Sequence, residues 1–199
     1  MRQIGKYQIL ERIGTGGFAV VYRGYDPDIK RHVAIKLCHS RDEEIRQRFH
    51  REAEIAGSLI HPNIALIYDF GVYEQMPYLV EEFLSGEDLA HLIQRQEPAA
   101  IGTRVASLLQ ILRGLRHAHA HGVIHRDIKP ANVRVLESGE LKLMDFGTAK
   151  LADVESQLTQ TGVTLGTVAY LAPERLRGKP ARRNSDLFSI GVLAFELLS

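Results

Sequence analysis

The sequence is short of the features that would send it to a membrane, an oxidising compartment or a polyanion. Its single cysteine, Cys38, excludes an internal disulfide framework and fits a reducing environment. No run of eighteen apolar residues is present to span a bilayer, and the opening "MRQIGKYQIL" lacks the apolar core of a signal peptide. Lys and Arg number 25 against 24 Asp and Glu, a net charge of +1, so no global field draws in nucleic acid or an anionic surface. Repeats and low-complexity tracts are absent too. A soluble cytoplasmic protein without a nucleic-acid partner is the expectation.

What is there is ordinary globular material. The 199 residues are 45% hydrophobic and 25% charged, enough for one large domain or two smaller lobes with real cores. The segments "YQILERIG", "FAVVYRGY" and "RHVAIKLC" alternate like strands, the first two flanking a glycine-rich turn. Residues 42–60 switch to helical period, with Ile45, Phe49, Ala53, Ala56 and Leu59 on one stripe. "IALIYDF" and "PYLVEEF" read as two more strands, separated by the polar turn "GVYEQM". Five strands and a helix make an α+β unit. Beyond Gly86 the pattern turns mostly helical: a short helix over 87–95 and a long amphipathic one over 101–121, with Val105, Leu108, Leu112, Leu115 and His119 on one side. Short strands follow near 133–136 and 141–144. The Thr- and Gly-rich segment 148–170 is too long for a plain connection, and a last helix begins at "NSD". The lobe boundary is placed at "LSGED", residues 84–88, giving units 7–84 and 85–199.

Three clusters carry chemistry. Gly14, Gly16 and Gly17, between two strands, allow backbone N–H groups to approach an anion, although a hairpin turn uses glycine in the same way. Lys36 shares a strand face with Ala34. Glu52 falls between Phe49 and Ala56 on the apolar stripe of its helix, about 20° from Ile45 at 100° per residue, whereas Glu54 points to solvent. A carboxylate on an apolar face needs a cation, and Lys36 is the candidate. The stretch "HRDIKPAN", 125–132, crowds charged and polar groups behind Val123 and Ile124, and "MDFG" follows. Asp127, Lys129, Asn132 and Asp145 supply a base, a cation and two hard oxygen ligands. That set suits a magnesium-bound polyphosphate better than zinc. His117, His119 and His121 do not converge on one helix face and read as a helix-end set, and Cys38 reads as a packed thiol.

With these motifs in order from about residue 7 to 199, the chain resembles a eukaryotic-type (Hanks-type) Ser/Thr protein kinase domain of bacterial flavour. Within that group it is similar to membrane-anchored mycobacterial kinases, without an anchor segment. The resemblance implies a bilobal fold: a five-stranded antiparallel amino-terminal lobe carrying one helix (the family's αC), and an incomplete, mainly helical carboxy-terminal lobe ending near the family's αF. It implies ATP and Mg²⁺ as cofactors and protein Ser/Thr hydroxyls as substrates. Ile13, Gly14, Gly16, Gly17, Val21, Ala34, Glu82 and Leu84 would enclose the nucleotide. Lys36, paired with Glu52, would contact the α- and β-phosphates. Asp127 would orient the substrate hydroxyl and Lys129 neutralise the transferred group, while Asn132 and Asp145 would hold Mg²⁺. Thr159 and Thr161 would be autophosphorylated, with Thr164 as a weaker candidate, and phosphate there would engage Arg126. Lys129 with Thr167 would mark Ser/Thr specificity, and Asp186 would brace the catalytic loop.

The pattern also departs from the family's. Ala19 replaces the third glycine. Glu81 stands at the gatekeeper position and Arg134 where an apolar adenine floor is usual, so weakened nucleotide binding, mutual compensation or cation–π stacking by Arg134 is expected. The arginine that the family pairs with Glu174 is expected to be missing. Leu187, Phe188, Ile190, Val192, Leu193, Phe195, Leu197 and Leu198 have little following chain to cover them, which suggests a fragment or self-association through that surface. A pseudokinase or nucleotide-binding interaction module without turnover is the alternative to an active kinase.

Overall fold

The structure, a computed structural model, describes residues 2–16, 18–95, 99–146 and 168–199, the side chains of residues 48 and 52 excepted. Gly17, Thr159, Thr161, Thr164 and Thr167 lie outside the described residues. The chain divides into two compact units, Met1–Ile60 with Ala65–Leu84, and His61–Ile64 with Ser85–Ser199.

The first unit is a six-stranded antiparallel sheet with one helix. Its strands are β1 (Gln3–Ile4), β2 (Tyr7–Thr15), β3 (Ala19–Asp26), β4 (Arg31–Cys38), β5 (Ile67–Tyr73) and β6 (Met76–Glu82), ordered β1-β2-β3-β4-β6-β5. The two-residue β1 is an addition to the five expected strands. Alternation along β4 and β6 separates two cores. Val33, Ile35, Leu37, Tyr78 and Val80 join Ile4 and Tyr7 in one cluster, while Cys38 and Leu79 meet Phe49 and Ala53 in the other. Phe49 and Ala53 come from α1 (Glu43–Gly57), which starts where the Asp42 side chain accepts the Glu44 N–H and where Glu43 and Glu44 meet the positive end of the helix dipole. The stripe read from the sequence is the one that packs, and Glu54 is exposed.

The expected six-residue turn "GVYEQM" is corrected. Gly71, Val72 and Tyr73 belong to β5, and the hairpin closes at Glu74 and Gln75, with φ of 48° and 64°. Two successive positive φ values make the primed type of tight turn whose twist matches the flanking strands. The usual Asn-Gly signal for it is missing from the sequence.

The second unit contains a three-stranded sheet, β7 (Glu87–Asp88), β8 (Val133–Val135) and β9 (Leu141–Leu143). It also holds the helices α2 (Leu89–Gln94), α3 (Ile101–Ala120), α4 (Pro173–Leu176) and α5 (Arg183–Leu198). Gly86, at φ 128°, runs so close to the Val135 carbonyl that a Cβ has no room. On α3 the buried line is Ile111, Gly114, Leu115 and Ala118. Val105, assigned to that face from periodicity, is exposed, because the packing line is set where α3 crosses β9 and Asn63. Asn63 is clamped between Gln110 and the Leu141 carbonyl, and its own carbonyl accepts the Leu143 N–H. On α5, Ile190 and Leu193 are buried, contrary to the expectation that the whole apolar set is bare, whereas Leu187, Phe188, Phe195 and Leu198 are exposed. Among the described residues, no helix is long and apolar enough to cross a membrane.

Gly114 is a close approach in the α3 packing: a Cβ there would stand 2.7 Å from the Asn63 carbonyl oxygen. Gly114→Ala is expected to destabilise the protein by about 1–3 kcal/mol despite its higher helix propensity. Chemical denaturation checks this.

Candidate active site

In the first unit, the β2–β3 hairpin carries the glycine-rich turn. Gly14 pairs with Val21, and Gly16 donates its N–H to the Ala19 carbonyl at 2.8 Å, so this turn is held by its own backbone. Ile13 is half-exposed beside it, and Val21 and Ala34 are partly buried. Lys36 lies on β4, where a central strand fixes its backbone on both sides. Its ammonium meets the Glu81 carboxylate at 2.8 and 3.0 Å. Glu52, the partner expected for it, sits on α1 with its side chain outside the described residues. After Glu81 the chain leaves the sheet through Glu82 and Leu84. The Glu82 N–H is committed to the Leu66 carbonyl at 2.8 Å, which takes that donor away from any ligand. Cys38, fully buried, has its thiol pushed up by burial, consistent with an inert packed group.

In the second unit, the loop 125–132 is organised from beneath by α5. Asp186 is 1% exposed. It accepts the N–H groups of His125 and Arg126, both at 2.9 Å, and meets the His119 Nε2 at 2.7 Å. Two backbone donors on one carboxylate are charge-assisted bonds in a dry setting, and they hold Arg126 at φ 73°, a conformation a non-glycine residue adopts only under constraint. His125, fully buried, packs its ring against Phe146 at 4.5 Å and reaches the Met144 carbonyl at 3.0 Å. That contact links the loop to the segment carrying Asp145, itself at φ 61°.

The loop so held presents Asp127. Its carboxylate is met by Lys129 Nζ at 2.8 Å and by Asn132 Nδ2 at 3.0 Å. Asn132 Nδ2 also donates to the Asp127 carbonyl at 2.7 Å. Pro130 at the start of a single 3₁₀ turn, Pro130–Asn132, sets this return of the chain. With its nitrogen bound to Asp127, the Asn132 amide directs its oxygen elsewhere, as a hard-metal ligand requires. Asp127, Lys129 and Asn132 are thus brought together by direct contacts, and Asp145 reaches the same loop through the His125 contacts.

Three of the departures find partners. Arg134, on β8 opposite Asp88, lies 3.1 Å from its carboxylate and donates to the Gly86 carbonyl at 3.3 Å. Glu81 is with Lys36, so mutual compensation of Glu81 and Arg134 is replaced by a separate partner for each. Glu174, expected to lack an arginine, accepts the Ser185 hydroxyl at 2.6 Å, which holds its carboxyl below the usual range. Sequence reasoning also missed His119 as a partner of Asp186. Its place on the α3 stripe with Leu112 and Leu115 was the available signal. The other histidines form a stack instead: His61 lies 5.1 Å from His117, and His117 4.3 Å from His121. Among the described residues, no group of three or more His, Cys, Asp or Glu is placed to hold a metal.

Comparison with known proteins identifies the family. The protein kinase domain family matches residues 7–199, and the chain belongs to that family. It is 44% identical, over its whole length, to a probable serine/threonine-protein kinase PknB of Lactococcus lactis, of which it covers 33%. It is 40% identical to the serine/threonine-protein kinase PrkC of Bacillus subtilis over 98% of the chain and 30% of that protein. It is also 40% identical to PknL of Mycobacterium tuberculosis, over 98% of the chain and 49% of that protein. The chain thus spans less than half the length of each of these relatives.

Burial gives the unit an acid-sensitive side. It pushes the His125 imidazole below the usual 6.5, against the pull of Asp186, Asp127 and Asp145. His61 is lowered by burial first and then by His117, Arg116 and Arg113. The unfolded chain takes up these protons near 6.5 and the folded chain only at lower pH. The stability from keeping both rings neutral is therefore complete above that value and is lost as pH falls through it toward the folded values. Thermal melts from about pH 7.5 to 5 should show a falling midpoint, with a shallower fall in His61→Ala.

Proposed function

We propose that this chain is the catalytic domain of a serine/threonine protein kinase, transferring the γ-phosphoryl group of ATP to Ser and Thr hydroxyls of proteins. The observation that carries this reading is the Asp127 carboxylate, 9% exposed and held between Lys129 and Asn132, on a loop locked by Asp186. A carboxylate so placed accepts or orients the proton of an incoming hydroxyl. The hydroxyl oxygen forms the new bond to the γ-phosphorus as the bond to the bridging β–γ oxygen breaks, and ADP leaves with that electron pair. The Lys129 ammonium, 2.8 Å from Asp127, neutralises charge on the group in transit, and Lys36 serves the α- and β-phosphates. Asn132 and Asp145 are the residues that would hold Mg²⁺, and the ion would supply neutralisation of the phosphate oxygens. The reaction asks for positioning and charge more than for covalent chemistry.

Ile13, Gly14, Gly16, Gly17, Val21, Ala34, Glu82 and Leu84 form the nucleotide's enclosure in this reading. Thr159 and Thr161 are the regulatory phosphate acceptors, with Arg126 as their cationic partner, and Thr167 acts with Lys129 in hydroxyl selection. Incubation with ATP and Mg²⁺, followed by mass spectrometry, is expected to find phosphate on Thr159 and Thr161. Asp127→Asn should reduce its rate of appearance by about 10²- to 10⁴-fold, the range for loss of a general base. Absence of phosphate from the wild-type protein, or equal phosphate in Asp127→Asn, would contradict the proposal.

A further inference from the structure

Glu81 occupies a position that the reaction above does not use. It stands on β6 two residues beyond Leu79, on the sheet face that carries Leu79, and its strand neighbour Val80 points into the opposite core. In the β4–β6 ladder Ala34 lies opposite Glu81 and Lys36 opposite Leu79. Lys36 and Glu81 are therefore diagonal neighbours on one face, a separation that long side chains bridge readily. Nζ takes up both carboxylate oxygens, at 2.8 Å to Oε2 and 3.0 Å to Oε1. Each side chain is 12% exposed. A carboxylate this enclosed is costly without a cation, and Lys36 supplies one.

We propose that Glu81 is a positioning residue that holds the Lys36 ammonium on the sheet and that a nucleotide's phosphates must compete with it for that charge. This rests on the reading of Lys36 as the phosphate-contacting lysine. Both partners belong to adjacent strands of one sheet, so the contact depends on no loop and on no movement of α1. A phosphate that draws on the Lys36 ammonium meets the Glu81 carboxylate already seated on it at 2.8 and 3.0 Å, which places a negative group beside a polyanion. Glu81 thus opposes nucleotide binding while holding Lys36 on the sheet when no nucleotide is bound.

The test uses Glu81→Gln, which removes the charge and keeps the shape, and Glu81→Met, which fills the site with an apolar chain, each first checked for a cooperative melt. Mg²⁺-ADP affinity is measured by titration. Both variants are expected to bind about 3- to 10-fold more tightly, the size of one screened charge contact. In turnover, KM for ATP should fall while kcat stays within about twofold, the pattern of a change in ground-state binding. Unchanged or weaker affinity in both variants would overturn the inference. A second measurement needs no nucleotide: Lys36 acylation by an amine-directed reagent, followed by peptide mass spectrometry, should be faster in both variants because the Glu81 carboxylate no longer stabilises the protonated amine. Equal rates in all three proteins would overturn the inference as well. If neither wild type nor variants bind nucleotide, the kinase reading and the competition fall together, while the acylation rates still decide whether Glu81 holds Lys36.

Discussion

The arrangement of the second unit depends on one buried carboxylate. Asp186 arrives on α5, far along the chain from the loop it serves, and accepts two consecutive backbone N–H groups there. Burying that charge is expensive, and the two amides with His119 offset the cost. In return the loop is held in a conformation that Arg126 would not adopt on its own. The backbone fixed at residues 125 and 126 leads directly into Asp127, whose carboxylate meets Lys129 and Asn132. Positioning of this kind lowers a barrier without chemistry at the positioning group.

The two units are ordered by different physics. In the first, a twisted antiparallel sheet with apolar residues on both faces delivers Lys36 from a central strand, so its location is as rigid as the ladder around it. In the second, Asp127, Lys129, Asn132 and Asp145 sit on loops and a single 3₁₀ turn. Their order comes from a polar network: Asp186 to the loop, Asn132 to Asp127, and His125 to the Met144 carbonyl. Such a network needs every member satisfied, since a half-paired buried group is worse than an apolar one.

The legible part of the fold was the part with short-range period. Strands β2, β3, β4 and β6 and the helix α1 announce themselves through alternation and through the stripe from Ile45 to Leu59. The hairpin at Glu74 and Gln75 was hidden, because side chains without a turn preference occupy positive φ when the strands on either side demand it. The packing face of α3 was only half legible: its apolar residues fill more than one stripe, and the close approach of Asn63 falls at Gly114. Lys36 in the first unit, and Asp127, Lys129, Asn132 and Asp145 in the second, were visible as residues whose polar groups needed partners. The bracing role of Asp186 came from resemblance, since nothing local marks that aspartate as buried. The Glu81–Lys36 contact was missed because it depends on which residues of β4 and β6 lie diagonal to each other, a register that no single strand encodes.

The most direct measurement of the lock on the loop 125–132 is hydrogen exchange at the backbone amides of His125 and Arg126, in the wild-type protein and in Asp186→Ala. The structure predicts slow exchange at both amides in the wild type. Protection should fall by about 10²-fold or more in the variant, as expected when two charge-assisted bonds are lost, while amides of β3 and β4 keep theirs. Fast exchange at both sites in the wild type, or equal protection in the folded variant, would contradict the account.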